Sequence, residues 1–371
     1  MRETSIRRGI LAPVLLAVAL SAGPAAIFSS KLVEACSRIL WKTSLGTYVG
    51  RGEDWFEDAP VNLWVLPRVQ ARDGAAGENS YKWSSRYGSL VITMYDHTSM
   101  SGINERGLSS HMLYLNDTSV APRDPKAPGL SISLWLQWYL DSFATVSEAV
   151  AATRNLPFQL RMAMDERGVK GLVHITLEDP SGDSALIEII KGEVKIYHDR
   201  RYIVVTNQPT YDKQLQIIGQ YAGFGGDKPL PGTTDASDRF VRGAYYAKHL
   251  PEPKDERDAL AALMSVMRNV AMPYGMATPE RKVGYGDASP TVSFTIFRIL
   301  LNLDKRVLYF DRIMSPTVFW VRLEGLDFSE GAPVKKLVTA GNDLAFDATD
   351  KFQPAKMFVS IPATETTLGG P

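Results

Sequence analysis

Polar and apolar residues alternate with a period of two from Ser37 to Tyr48. Short apolar runs recur at Val61–Leu66, Ser89–Met94 and Ser110–Leu115. Such runs predict strands. The Gly-rich segment Asp73–Glu78 and the stretch Ser101–Leu108 read as turns, and 116–129, rich in Pro, Asp and Gly, as a loop. The period then lengthens. Leu130–Phe143 is strongly apolar and predicts a helix whose Trp135, Trp138 and Tyr139 belong to a core. Thr145-Val146-Ser147-Glu148 has capping-box spacing and starts a second helix. Strand patterning returns at His174–Leu177, Ser184–Ile190, Glu193–His198 and Tyr202–Thr206. Helices follow near Tyr211–Tyr221, Asp235–His249 and Asp255–Val270; in the last, Leu260, Leu263, Met264 and Met267 repeat at i, i+3, i+4 and i+7. After a Gly/Pro-rich loop at 272–290 come strands at Thr291–Arg298, Arg306–Phe310 and Val318–Arg322. This order fits two packed sheets with helices on both outer faces, a four-layer αββα sandwich of the α+β class.

The first 35 residues follow another pattern. Arg7-Arg8 precedes the short apolar run Gly9–Leu20, which suits a signal peptide better than a membrane span. Small residues suited to cleavage stand at Ala22–Ala25 and at Val33–Ala35. The expectation is an export segment, 1–35, and a single domain, 36–371, delivered to the periplasm or secreted. No later stretch approaches membrane-spanning length. The chain of 371 residues is 45% hydrophobic and 22% charged, as in a packed globule. Its formal net charge is zero, and residues 1–35 carry a surplus of two positive charges, which leaves about −2 for the rest. No basic field points to nucleic acid.

Cys36 is the only cysteine, so it has no internal disulfide partner. A cut after Ala35 would make it the first residue, with thiol and free α-amine in one unit. A thiol attacks as its thiolate, and an α-amine with a pKa of about 7.7–8.0 can serve as its base. Such a nucleophile needs no histidine. The five histidines, at 97, 111, 174, 198 and 249, show no HExxH or clustered spacing, so neither a metal nor another cofactor is expected. No Gly-x-Ser-x-Gly elbow or P-loop occurs. Attack on an amide also needs a cation near the sulfur, a carboxylate for the amine, and oxyanion donors. Arg51 and Asp54 lie one strand beyond Cys36, where a hairpin could return them to it. The contrasting reading is an envelope lipoprotein acylated on Cys36 that only binds ligands; Glu34 fits its processing signal poorly.

Five segments stand in one order: Cys36-Ser37-Arg38, Arg51-Gly52-Glu53-Asp54-Trp55, Gly102–Leu108, Thr206-Asn207-Gln208-Pro209-Thr210, and Leu230-Pro231-Gly232 through Asp238-Arg239-Phe240. Together they resemble the choloylglycine hydrolase family, N-terminal-nucleophile hydrolases that include penicillin V acylases and bile salt hydrolases. The resemblance implies the αββα fold of that class, a small-molecule amide substrate and a homotetramer. It makes Cys36 the nucleophile and its amine the base. Arg51 becomes the arginine beside the thiol, Asp54 the carboxylate holding the amine, and Arg239 the second arginine. Asn207 is then the side-chain oxyanion donor and the Tyr114 backbone N–H the other. Trp55 after Asp54, and the long exported form, look like the Gram-negative branch of penicillin V and N-acyl-homoserine-lactone acylases. Two departures bear on pocket shape: a Cys-to-Arg spacing one residue tighter, and Asp238 in place of a small residue. The pocket walls are expected from Trp55, Tyr114 and the loops 116–129 and 272–290.

Overall fold

A computed structural model describes residues 36–275, 293–341 and 344–364; the expected export segment lies outside them. Ser37–Thr43 (β1) and Gly46–Trp55 (β2) form an antiparallel hairpin. The alternation over Ser37–Tyr48 predicts one strand, but the chain reverses at Ser44-Leu45. Gly46 makes this possible with a φ of 142°; a Cβ there would also stand 2.9 Å from Asp304 Oδ2. Val61–Leu66 (β3) follows, then a small hairpin of Ala71–Asp73 (β4) and Lys82–Ser84 (β5). Ser89–Met94 (β6), Thr98–Asn104 (β7) and Ser109–Tyr114 (β8) make a meander. The turn read over Ser101–Leu108 is therefore shorter. Its first half is the end of β7, whose small residues give no apolar signal.

Gly129–Ser131 (β9) is extended and Ile132–Leu134 is a 3-10 turn, so the first helix begins only at Trp135 (α1, Trp135–Ser142). The shortening has a tertiary cause: β9 pairs in parallel with Gln159–Arg161 (β10), and Ser131 N donates to Gly74 O at 2.7 Å. Between them, Val146–Thr153 (α2) is capped as expected, Thr145 Oγ1 accepting from Glu148 N at 3.2 Å. The second meander is Val173–Glu178 (β11), Ser184–Ile190 (β12) and Glu193–His198 (β13), and Val204–Thr206 (β14) leads to the helices. These are Tyr211–Ile218 (α3), Ala236–Lys248 (α4) and Glu256–Asn269 (α5). The chain closes through Phe294–Asn302 (β15), Val307–Arg312 (β16), Val318–Arg322 (β17), Lys335–Val338 (β18), Phe346–Asp347 (β19) and Gln353–Pro354 (β20).

Among the described residues one sheet runs β14-β1-β2-β15-β16-β17-β19 and the other β13-β12-β11-β8-β7-β6-β3-β18-β20. Leu40, Val49, Ile299 and Leu301 of the first meet Leu63, Val65, Leu90 and Ile92 of the second. On its outer face the second sheet carries α1 and α2, with Trp64, Val91 and Ile175 against Trp135, Tyr139 and Val150. The outer face of the first carries α4 and α5, with Ile39, Tyr48 and Leu300 against Phe240, Leu263 and Met267. The layers are thus α, β, β, α, as the order of elements implies. Helix α5 lies so close to β2 that a Cβ on Gly50 would stand 2.6 Å from Met267 Sδ. That contact fixes the height of the helix layer over the start of β1.

A buried ion pair also ties the sheets together. Arg38 Nε on β1 lies 2.7 Å from Glu178 Oε1 on β11, both side chains fully buried. Ser109 Oγ donates to Glu178 at 2.9 Å, and Arg38 donates to Ser184 Oγ and Tyr202 O. Removing one partner strands the other charge in a medium that cannot solvate it. Glu178→Ala is expected to cost about 3–5 kcal/mol, measured by urea unfolding. A double variant, Arg38→Met with Glu178→Ala, should recover much of that loss.

Candidate active site

Strand register builds the site. β1 lies between β14 and β2, with Ser37 opposite Thr206 on one side and Gly52 on the other. One step back along each ladder puts Cys36 in a row with Asn207 and Glu53. Cys36 Sγ donates to Glu53 Oε1 at 3.1 Å and lies 4.0 Å from Asp54 O. Glu53 Oε2 accepts from Arg51 Nη2 at 2.7 Å, and the same nitrogen donates to Met112 O at 2.7 Å. Arg51 Nη1 also bonds Gly52 O. All these side chains are buried.

The other face of β2 has a second pair. Asp54 Oδ2 lies 3.2 Å from Arg239 Nη1, from the first turn of α4. Arg239 Nη1 also donates to Ser37 Oγ at 2.8 Å and to Val270 O at 3.2 Å, and Nη2 reaches Cys36 O at 3.5 Å. Thr295 stands opposite Asp54 in the β15–β2 ladder, and its hydroxyl bonds Asp54 Oδ1. Met272 N in turn donates to Thr295 Oγ1 at 2.8 Å. Arg239 thus holds the start of β1 against the start of α4.

The hairpin brings both Arg51 and Asp54 to Cys36, on opposite faces of β2. Successive side chains on a strand point to opposite faces, so Arg51 shares a face with Glu53, between the sheets, and Asp54 faces the helices. Glu53 and Thr295 are the site residues that sequence reasoning missed. Counting by two from Val49, an intersheet core residue, would have found Glu53.

Asn207 is 1% exposed, and neither its amide nitrogen nor its carbonyl oxygen has a hydrogen-bond partner among the described residues. Leaving a buried carboxamide unpaired costs about 1–3 kcal/mol. A group arriving beside Cys36 could recover it, and an oxyanion is the acceptor that a carboxamide N–H would bind best.

Burial sets the electrostatics. It pushes the Cys36 thiol far above its ordinary range; Arg51 pulls it back, and Glu53 and Asp54 push it up again. Burial likewise raises the Asp54 carboxyl, against the pull of Arg239 and Thr295. His111, on β8, is held well below its usual value by burial and then by Arg51 and Arg38, so it stays a neutral ring. Among the described residues no group of three or more His, Cys, Asp or Glu gathers to hold a metal.

A largely apolar cavity of about 680 Å³, open mouth included, is reached from the end of β2, although Cys36, Glu53 and Asn207 do not themselves line it. Trp55, the residue after Asp54, lines it together with Met112, whose carbonyl holds Arg51, and Tyr114. Met100, Ile132 and Val173 extend the apolar wall, and Asp165, Arg167 and Lys170 also line it. Arg167 stacks on Tyr95, 3.8 Å from the ring centroid, and pairs with Asp165 and Glu57; Trp55 Nε1 donates to Tyr95 Oη at 3.0 Å. Trp55 and Tyr114 both line this cavity. The loop 116–129 does not. Ser119 N bonds Ile189 O at 2.9 Å and Thr118 Oγ1 bonds Val173 O at 3.0 Å, which ties it to the second meander, and residues 163–173 take its place. Of the other expected wall, 276–290 lie outside the described residues.

Comparison with known proteins agrees with this architecture. The family described as linear amide C–N hydrolases, choloylglycine hydrolase family, matches residues 36–335. A penicillin V acylase of Pectobacterium atrosepticum is 35% identical over 333 residues, 83% of this chain and 86% of that protein. The solved structure of a penicillin V acylase from Agrobacterium tumefaciens superposes with a TM-score of 0.79 at 38% identity, covering 88% of this chain and all of that one. A conjugated bile acid hydrolase from Clostridium perfringens, at 20% identity, shares the fold with a TM-score of 0.69 over 84% of this chain and 98% of its own.

Proposed function

Because this chain belongs to the choloylglycine hydrolase family of linear amide C–N hydrolases, we propose that it cleaves amides with an apolar acyl group, using Cys36 exposed by a cut after Ala35. The observation that carries this reading is the row of Cys36, Glu53 and Asn207 across three strands, with an unpaired carboxamide on one side of the sulfur. Sγ bonds to the substrate carbonyl carbon as its proton passes to the Cys36 α-amine. The carbonyl oxygen takes up the negative charge and accepts from Asn207 Nδ2, with the Tyr114 backbone N–H as second donor. The C–N bond then breaks, the α-ammonium protonates the departing amine, and a thioester remains. Water, deprotonated by the same amine, attacks the thioester and releases the acid and the thiol.

Within this scheme Arg51 stabilises the developing thiolate. Asp54, anchored by Arg239 and Thr295, is the partner of the α-amine. The removal of residues 1–35 and export from the cytoplasm belong to the same proposal.

The apolar cavity supports an acyl group without charge, and the likeness to two penicillin V acylases favours a phenoxyacetyl group. N-acyl-homoserine lactones rank close behind, and conjugated bile acids third. The test is a product assay over a panel of acyl amides varied in chain length and aromaticity. Phenoxyacetyl amides or N-acyl-homoserine lactones are expected to exceed a glycine-conjugated bile acid in kcat/KM by about tenfold or more, a difference of pocket fit. A preference for the bile conjugate would overturn the substrate assignment.

A further inference from the structure

We propose that Glu53 is the proton partner of the nucleophile: Cys36 and Glu53 hold one proton between them at rest, so the sulfur is stored as a guarded thiol. The geometry carries this. Glu53 uses both carboxylate oxygens, Oε2 on Arg51 Nη2 at 2.7 Å and Oε1 on Cys36 Sγ at 3.1 Å. A carboxylate only accepts, so the short contact to sulfur contains a hydrogen. A thiolate in that place would set two anions against each other in a buried site, where the effective dielectric is low. The pair therefore behaves like two acids that share a proton and titrate together.

The surrounding charges do not undo this. On β2, Arg51 is engaged by Glu53, and Asp54 faces Arg239 of α4. Arg298 of β15 is paired with Asp311 at 2.9 Å. On β8, His111 is buried and neutral. One residue past β14, the uncharged Asn207 stands opposite Cys36. Arg51 also reaches the sulfur, but its Nη2 is held by Glu53 Oε2 at 2.7 Å. Glu53 thus neutralises the cation that would draw out the thiolate while accepting from the sulfur itself; the α-amine freed by processing takes the proton only as attack begins. The sulfur is thereby shielded from adventitious electrophiles until a substrate occupies the site.

This rests on Cys36 being the nucleophile, yet the two ideas fail separately: alkylation and vibrational spectra need no turnover, whereas the Cys36→Ala activity assay tests the nucleophile. The experiment is iodoacetamide alkylation of Cys36 as a function of pH in wild type, Glu53→Gln and Glu53→Met. Removing the carboxylate leaves Arg51 unopposed, so the alkylation midpoint should fall by about one pH unit or more and the rate at neutral pH should rise about tenfold. Folded variants with the wild-type midpoint, or with slower alkylation, would overturn the proposal. Because the chain has a single cysteine, the infrared S–H band gives a second readout on the unaltered protein. It should persist well above about pH 8.5, the pKa of a free thiol; its loss below that pH would refute the shared proton even if no variant folds.

Discussion

Cys36→Ala is expected to reduce amide hydrolysis by on the order of 10⁴-fold or more in kcat, with the fold intact. The size follows from the chemistry the residue supplies. Its sulfur forms the covalent bond, and nothing else in the row can replace it: Asn207 is a carboxamide, and Glu53 is engaged by Arg51. The cost to the fold should be small. The side chain is short, and its neighbours are tied to one another independently, Glu53 to Arg51 and Asp54 to Arg239. Cys36→Ser is a milder change, because a terminal hydroxyl keeps the bond-forming role with a weaker nucleophile. Steady-state kinetics on a phenoxyacetyl amide, with circular dichroism to check folding, measure both. Full activity in Cys36→Ala would remove the nucleophile assignment.

Asn207→Ala is expected to lower kcat by about 10²–10³-fold while KM changes little. The loss falls on kcat because the carboxamide has no partner at rest and gains one only as charge develops on the carbonyl oxygen. An interaction made in the transition state alone leaves substrate binding untouched. Stability should be nearly unchanged or improved, since the alanine removes a buried, unpaired polar group. Asn207→Asp sharpens the contrast: it keeps the shape but sets a negative charge against the oxyanion, so its activity should fall at least as far. A rise in KM with kcat preserved would make Asn207 a binding residue instead.

Much of the fold follows from residue pattern alone. The spacing of Leu260, Leu263, Met264 and Met267 marks the core-facing stripe of α5, Leu260 half-buried and the other three buried, and the Thr145–Glu148 box marks the start of α2. What escaped such reading was decided by tertiary contacts. The break in Leu130–Phe143 arises because β9 finds a partner in β10, thirty residues on. Strand β7 buries Ser99, Ser101 and Gly102, whose burial comes from neighbouring strands and not from their own hydrophobicity. In the site, individual residues were legible but their pairing was not. Arg51 and Asp54 are near in sequence yet face different layers, and only the alternation of β2 separates them. The cavity wall at 163–173 was out of reach for a similar reason, since its position depends on how the loop 116–129 is held by β11 and β12.

In the proposed reaction, catalysis runs through a sulfur at the start of the processed chain. Peptide mapping by mass spectrometry of the active enzyme, acid-quenched during turnover of a phenoxyacetyl amide, tests it most directly. The expected N-terminal peptide begins at Cys36 and carries one phenoxyacetyl group. An active enzyme that begins at another residue, a diacylglyceryl thioether on Cys36, or an acyl group trapped on a different side chain would contradict it.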